Sequence, residues 1–357
     1  MKKILLIVLL LMQFAAFSSQ HPYKVIAYYT GNAEKIKRYP LQKLTHIIYS
    51  FLRLKNDTLT FSNEEQKNTV IQLVGLKKQY PHLKIMVSIG GWGGCAPCSA
   101  LFASEEQRNT FASTAVALLK EYHLDGLDLD WEYPAIEGYP GHLYSTADKE
   151  HFTALVTTLR QKMGTEFLLS FAAGGFIQYL ENSIQWDVVM QQVDFVNLMT
   201  YDLVGGYSKV TGHHTPLKDY RPEQESIQKC VTWLLQHKIK SEQLIIGAAF
   251  YARVWEKVLP ENNGLYNSGN FKRGVSYKDF KTYFTNSLEF KYYWDKKAKA
   301  PYRYSEPLQL FATFDDKHSI NAKTKFVKRK KLGGIMFWEL SDDKTSKGLL
   351  FTIRRKL

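Results

Sequence analysis

Asp125, Asp128, Asp130 and Glu132 stand in "DGLDLDWEYP" (residues 125–134), the last three at every second position with Leu127, Leu129 and Trp131 beside them. A strand sends alternate side chains to opposite faces, so this spacing stacks three carboxylates on one face and three large apolar groups on the other. Like charges crowded into a run that reads as buried force some of them to hold protons, and a carboxyl that stays protonated near neutral pH is the acid that glycosidic-bond protonation needs. A merely structural buried network is a poor account, because burying several carboxylates is costly unless each is protonated or well hydrogen-bonded. Hard-cation binding is the other reading. Calcium loops, however, are flexible, with Gly at the sixth position and a late Glu, whereas these acids sit in an apolar-alternating strand. Asp125 is out of phase with the other three and reads as structural.

Other chemical templates fit less well. "GWGGCA" (residues 91–96) matches the form of a dinucleotide-binding loop, but Pro97 follows where a helix should open. There is no G-x-S-x-G elbow and no phosphate-binding P-loop. His213 and His214 are adjacent in "GHHTPL", and sequence neighbours rarely ligate one metal together, so a loop role is expected. Cys95 and Cys98 lack the two further ligands that zinc would need; a loop disulfide or free thiols are favoured over redox work, and Cys230 falls in a helical pattern as core.

The elements that must carry these residues are short apolar runs alternating with amphipathic stretches. Candidate strands are 24–29, 45–51, 84–90, 126–131, 167–173, 194–200, 244–250 and 334–340. Between them, helices are expected at 63–80, 104–122, 145–163, 223–237 and 319–331, with Ser104 and Gln107 forming a capping box. Eight strand–helix units predict an α/β fold, a closed (β/α)8 TIM barrel, in which the strands' C-terminal ends carry the site. The fourth strand then lifts Asp128, Asp130 and Glu132 in order toward the mouth. More than eighty residues separate the last two strands, too many for a loop and one helix. A small α+β insertion is expected there, over 254–318, with the barrel formed by 19–253 and 319–357.

The chain has 357 residues, 45% apolar and 14% aromatic, with a formal charge of +13. That charge invites a nucleic-acid reading, but the cations are scattered among acids, and the dense run Lys323–Lys331 has apolar residues at helical spacing. A solvated helix face is expected and no nucleic-acid partner. Lys2 and Lys3, an apolar run to about Phe17 and small residues before Ser19 read as a signal peptide over 1–18. No later segment is long and apolar enough to span a membrane. A secreted chain, periplasmic or extracellular, is expected, acting as a monomer.

The acidic run resembles the D-x-x-D-x-D-x-E signature of glycoside hydrolase family 18, the chitinase family. "SIGGW" (88–92), "MTYD" (199–202), "FYARVW" (250–255) and "GGIMFWELSDD" (333–343) are similar to further segments of that family in the same order. "YYWDKKAKAPYRY" and "FATFDDKHSI" resemble its α+β insertion. Ala252 and Tyr207 depart from the usual Gly and from the Trp of some relatives.

The resemblance implies a chitinase that hydrolyses β-1,4-N-acetylglucosamine linkages by substrate-assisted, retaining catalysis, with chitin and chito-oligosaccharides as partners and no cofactor or metal. It implies Glu132 as acid then base, Asp130 as holder of the acetamido N–H, Asp128 as partner of Asp130, and Tyr201 as donor to the acetyl oxygen. Met199 and Asp202 would shape the same pocket, Tyr28 and Ser88 would support the Asp128 end, and Trp338 would floor it. Trp92, Tyr133, Trp255 and Tyr207 are lining candidates, and Arg253 should reach a sugar hydroxyl or Asp202. The alternatives are an endo-β-N-acetylglucosaminidase acting on N-glycans and a chitin-binding lectin of the same fold.

Overall fold

The structure, a computed structural model, describes residues 23–357. The expected signal segment lies outside the described residues. Eight strands, β1 (Lys24–Tyr29), β2 (His46–Lys55), β3 (Lys84–Gly90), β4 (Gly126–Asp130), β5 (Leu168–Gly174), β6 (Phe195–Met199), β7 (Leu244–Ala249) and β8 (Gly334–Trp338), pair in parallel in chain order. β8 returns to β1, with Lys24 opposite Gly334 and Ala27 opposite Phe337, which closes the barrel. The strands read as nearly unbroken apolar runs because each is covered on both faces, by the barrel interior and by the helices.

Several of those helices start where a side chain supplies a cap. Asn63 accepts from Gln66 N ahead of the helix Glu64–Gly75, and Ser104 accepts from Gln107 N ahead of Glu105–Glu121. Between β5 and β6 lie two short helices, Ile177–Asn182 and Trp186–Gln192, which the sequence pattern does not announce. With six and seven residues they are too short to display a helical period.

Outside the strands, Leu127, Leu129 and Trp131 pack into the layer shared with the helices, Trp131 lying 5.7 Å from the Phe102 ring. Inside, Ile26, Ile48, Met86, Phe195, Ile245 and Met336 fill the barrel, in contact with Tyr28. The barrel is thus a packed core whose polar positions stand out against an apolar lining.

A second sheet has five antiparallel strands, in the order Asn270–Ser276, Tyr251–Glu256, Leu310–Phe314, Ala300–Ser305, Lys291–Asp295. It spans 251–314, against the expected 254–318. A single residue, Phe250, separates its first strand from β7, so Tyr251 and Arg253 belong to this sheet. One face packs Val254, Val275, Phe290 and Phe314, and the other Trp255, Tyr302, Tyr304 and Phe311.

The helix Lys317–Lys330 returns the chain to the barrel. Lys325, Lys328, Arg329 and Lys330 are exposed, as a solvated face requires, but Lys323 points inward and has no exposed surface. Its Nζ donates to Thr215 Oγ1 at 2.6 Å and to Asp315 Oδ2, and Asp315 also accepts from Ala249 N and the Ser319 hydroxyl. The pair ties the return helix, the end of β7 and the 213–215 segment together. Burial pulls the Lys323 pKa down, and Asp315 opposes that. Removing one partner of such a pair strands the other charge in the core. Lys323→Ala is therefore expected to lower the unfolding free energy by about 3–5 kcal/mol in denaturant titrations at pH 7. The double variant Lys323→Met with Asp315→Leu should recover most of that loss.

Candidate active site

The site grows from the register of β3, β4 and β5. Asp128 lies opposite Ser88 on one side and Ser170 on the other, and Asp130 lies opposite Gly90. Asp128 is fully buried inside the barrel and receives four side-chain donors from four strands. Ser170 donates to Oδ1 at 2.6 Å and Asn197 at 3.1 Å, while Ser88 donates to Oδ2 at 2.8 Å and Tyr28 at 2.9 Å. Asn197 also donates to the Tyr28 hydroxyl at 3.1 Å. Burial raises the Asp128 pKa, and the donors pull against that rise.

One step up β4, Asp130 is 3% exposed, and its Oδ1 has no hydrogen-bond partner among the described residues. Burial raises its pKa well above the ordinary range, with the charges of Glu132 and Asp128 adding to the effect. Two residues further, Glu132 reaches the cleft. Burial pushes its carboxyl up to about 8, with Tyr133 opposing and the charge of Asp202 reinforcing the rise. The three acids therefore climb from a fully partnered group, through a partly unpartnered one, to an acid that faces open space.

Glycines let this strand end sit close to its neighbour. At Gly90, φ is +94° and an added Cβ would lie 2.0 Å from the Asp130 carbonyl oxygen. At Gly91, φ is +77° and a Cβ would meet the Phe51 ring at 2.4 Å. Any other residue at either position would displace the β3–β4 edge or the aromatic floor.

A cavity of about 330 Å3 lies above the acids, lined by Asp130, Glu132, Tyr133, Met199, Tyr201, Asp202, Arg253 and Trp338, with Phe51 and Tyr251. Trp338 stacks on Phe51 with ring centroids 5.6 Å apart and planes inclined 18°. The peptide bonds Ser50–Phe51, Glu132–Tyr133 and Trp338–Glu339 are cis. At one end of the cavity, Trp92 is 45% exposed and Tyr207 68% exposed, with ring centroids 6.0 Å apart.

Asp202 is held from the second sheet. Arg253 Nε donates to Oδ1 at 2.7 Å, and Arg253 Nη2 and the Tyr251 hydroxyl donate to Oδ2 at 2.6 and 2.9 Å. This clamp keeps the Asp202 carboxyl well below the usual carboxylate range despite its burial. Arg253 thus meets Asp202, one of its two expected partners.

Tyr28 and Ser88 donate to Asp128, the end of the network they are expected to support, and they do so beneath the cleft rather than in its lining. One expectation needs correction. Trp255, expected in the lining, is fully buried; it packs on Phe271 and Phe311, and its Nε1 donates to the Ser208 carbonyl at 3.0 Å. It shares a strand face with Tyr251 and Arg253, but that face continues past the cavity and under the 205–211 loop. Trp255 consequently anchors the loop that presents Tyr207. Asp125 sits apart from the cleft, accepting from Ile85 N at 2.8 Å and pairing with Lys77 at 3.0 Å and Lys84 at 3.3 Å.

Sequence reasoning missed Ser170, Asn197, Phe51, Tyr251 and the contact of His214 with Asp202. Ser170 and Asn197 had a usable signal, since each is a lone polar residue in an apolar strand run, in phase with the barrel interior. Phe51 and Tyr251 had none, because an aromatic residue at a strand end reads equally as core. Cys95 and Cys98 form a disulfide, which closes the turn just after Trp92. Cys230 is buried and free. Among the described residues no cluster of His, Cys, Asp or Glu is arranged to hold a metal ion, and no helix is long and apolar enough to cross a membrane.

Residues 24–343 match the family profile described as Glycosyl hydrolases family 18. Chitinase A1 of Niallia circulans is 32% identical over 311 residues, which cover 80% of this chain and 44% of that protein. The chain thus spans less than half the length of that relative. Chitotriosidase-1 of Mus musculus is 32% identical over 317 residues, 84% of this chain and 67% of that protein. Among solved structures, the family 18 N-acetylglucosaminidase from Paenibacillus barengoltzii superposes with a TM-score of 0.85 at 34% identity, over 94% of this chain and 100% of that one. The Ostrinia furnacalis Group IV chitinase in complex with allosamidin gives 0.84 at 27% identity, over 93% and 98%. The acidic ladder on β4 and the closed parallel barrel that carries it fall inside the matched span, and the chain is a member of glycoside hydrolase family 18.

Proposed function

We propose that the chain is an exported chitinase that cleaves β-1,4 linkages between N-acetylglucosamine units with retention of anomeric configuration. The observation that carries this reading is the pairing of Glu132, held protonated at the cleft, with Asp130 below it presenting an unpartnered oxygen. The N-terminal run of residues 1–18 supports export.

In this reading the sugar lies with its apolar face on Trp338, as ring C–H groups favour. Its acetamido carbonyl oxygen attacks the anomeric carbon while Glu132 donates its proton to the leaving glycosidic oxygen. The C–O bond breaks, and a cyclic oxazolinium ion forms on the sugar itself. Asp130 accepts from the acetamido N–H and offsets the new positive charge, and Tyr201 donates to the acetyl oxygen. Glu132, now a carboxylate, takes a proton from water as that water attacks the anomeric carbon and reopens the ring. Two inversions at one carbon give net retention. Met199 and Asp202 bound the acetamido pocket, and Trp92 with Tyr207 supports the departing sugars.

Because the general acid acts only when protonated, kcat/KM on a soluble chito-oligosaccharide is expected to fall as pH rises through about 8. Glu132→Gln should cost roughly 10²- to 10⁴-fold in kcat with little change in KM. Equal rates for the two proteins would remove Glu132 from the mechanism. A fully deacetylated chitosan oligomer should resist cleavage, since it lacks the internal nucleophile; rapid turnover of it would overturn the substrate-assisted step. Release of intact glycans from a glycoprotein in preference to chito-oligosaccharide cleavage would assign the endo-glycosidase activity instead. Tight binding of chito-oligosaccharides with no turnover by the unaltered protein would assign a lectin.

A further inference from the structure

His214 has no assigned part in the chemistry above, yet it lies against the wall of the cleft. Its imidazole has no exposed surface, and Nδ1 is 3.5 Å from Asp202 Oδ1, the oxygen that also accepts from Arg253 Nε at 2.7 Å. Neither ring nitrogen has a well-formed hydrogen bond among the described residues. The ring packs on Tyr251 with centroids 5.4 Å apart.

Its place is held from both sides. His214 N donates to Thr313 Oγ1 at 3.2 Å, and its carbonyl accepts from Leu203 N at 3.0 Å. Thr215 next to it is gripped by Lys323 and by the Thr200 carbonyl. The imidazole therefore cannot swing away from Asp202 without disturbing the barrel wall.

The charges that face it are already matched. Asp202, on the loop after β6, pairs with Arg253 from the first strand of the second sheet, and Asp315, at the end of its strand 310–314, pairs with Lys323 from the return helix. Tyr251 adds a hydroxyl directed at Asp202. A proton taken up by His214 thus introduces an unmatched positive charge beside Arg253, with Asp202 Oδ1 the acceptor in reach. Burial accordingly lowers the His214 pKa, with Asp202 opposing, so the ring is neutral at neutral pH.

We propose that His214 is a positioning residue whose protonation draws Asp202 away from Arg253 and disables the wall of the cleft that Asp202 forms, so that this histidine shapes the acid side of the pH dependence. Neutral, it donates weakly through Nδ1–H and leaves the Arg253 clamp intact. Protonated, it competes for Oδ1 and reduces the negative charge that helps to hold the proton on Glu132. The consequence for turnover rests on the hydrolase reading above, whereas the linkage between His214 and Asp202 does not.

The test has two arms. In the first, kcat/KM on a soluble chito-oligosaccharide is measured across pH for the unaltered protein, His214→Asn and His214→Phe, with thermal melts to verify folding. His214→Asn, which can donate to Asp202 but cannot titrate, should move the acid limb about one unit lower while Glu132 continues to set the alkaline limb. His214→Phe, which can do neither, should show the same acid-limb shift with KM raised about 3- to 10-fold. An acid limb in His214→Asn that coincides with that of the unaltered protein would overturn the proposal, as would a loss in kcat equal at every pH. In the second arm, the His214 imidazole is titrated by nitrogen NMR in the full chain and in Asp202→Asn. Its midpoint should fall when the Asp202 charge is removed, and an unmoved midpoint would sink the linkage. Absence of turnover in every protein, with the NMR shift present, would reject the hydrolase reading and leave the linkage standing.

Discussion

Asp128 is the constraint around which the barrel interior is arranged. A carboxyl group placed in an apolar core costs several kcal/mol unless its oxygens are satisfied. Here four strands each contribute one donor: β1 through Tyr28, β3 through Ser88, β5 through Ser170 and β6 through Asn197. None of these strands can shift register by one residue without turning its donor outward and an apolar group inward. The buried acid thereby pins the relative heights of half the barrel, and the positions of Asp130 and Glu132 follow from it by strand geometry alone.

Above that anchor the environment changes step by step along β4. Asp128 is surrounded by donors, Asp130 keeps a buried oxygen without one, and Glu132 stands where protein gives way to open space. Desolvation is the leading cause of a raised pKa for all three, but only the lowest has donors that counter it in number. An unpartnered buried oxygen is a cost to the folded chain, and it is also a vacant acceptor for a ligand N–H. Stability and function pull against each other at Asp130 and not at Asp128.

The second sheet builds the opposite wall. Its first strand leaves β7 after a single residue, which brings Tyr251 and Arg253 to the cleft and Trp255 beneath the loop of Tyr207. The Lys323–Asp315 pair locks the return helix to the same strand ends, so the Asp202 clamp rests on a frame that is fixed at both sides. The carboxylate of Asp202 stays charged because Arg253 holds it, and that charge in turn favours the proton on Glu132. The two walls are thus coupled electrostatically across the cleft.

Much of this was legible in the chain because it depends on local periodicity. Three acids at every second position, flanked by Leu and Trp, can only stack on one strand face. Eight apolar runs separated by helix-length stretches leave few folds other than a closed barrel. The adjacent glycines Gly90 and Gly91 mark a close backbone approach by residue type alone. Which side chains meet across strands is another matter, since that depends on register and on how the sheet curves. The donors Ser170 and Asn197, the burial of Trp255 under a loop, the inward turn of Lys323 and the approach of His214 to Asp202 all join residues far apart in sequence. No local pattern encodes such meetings: they arise when closure of the barrel brings separate strands to one height, and only the tertiary structure decided them.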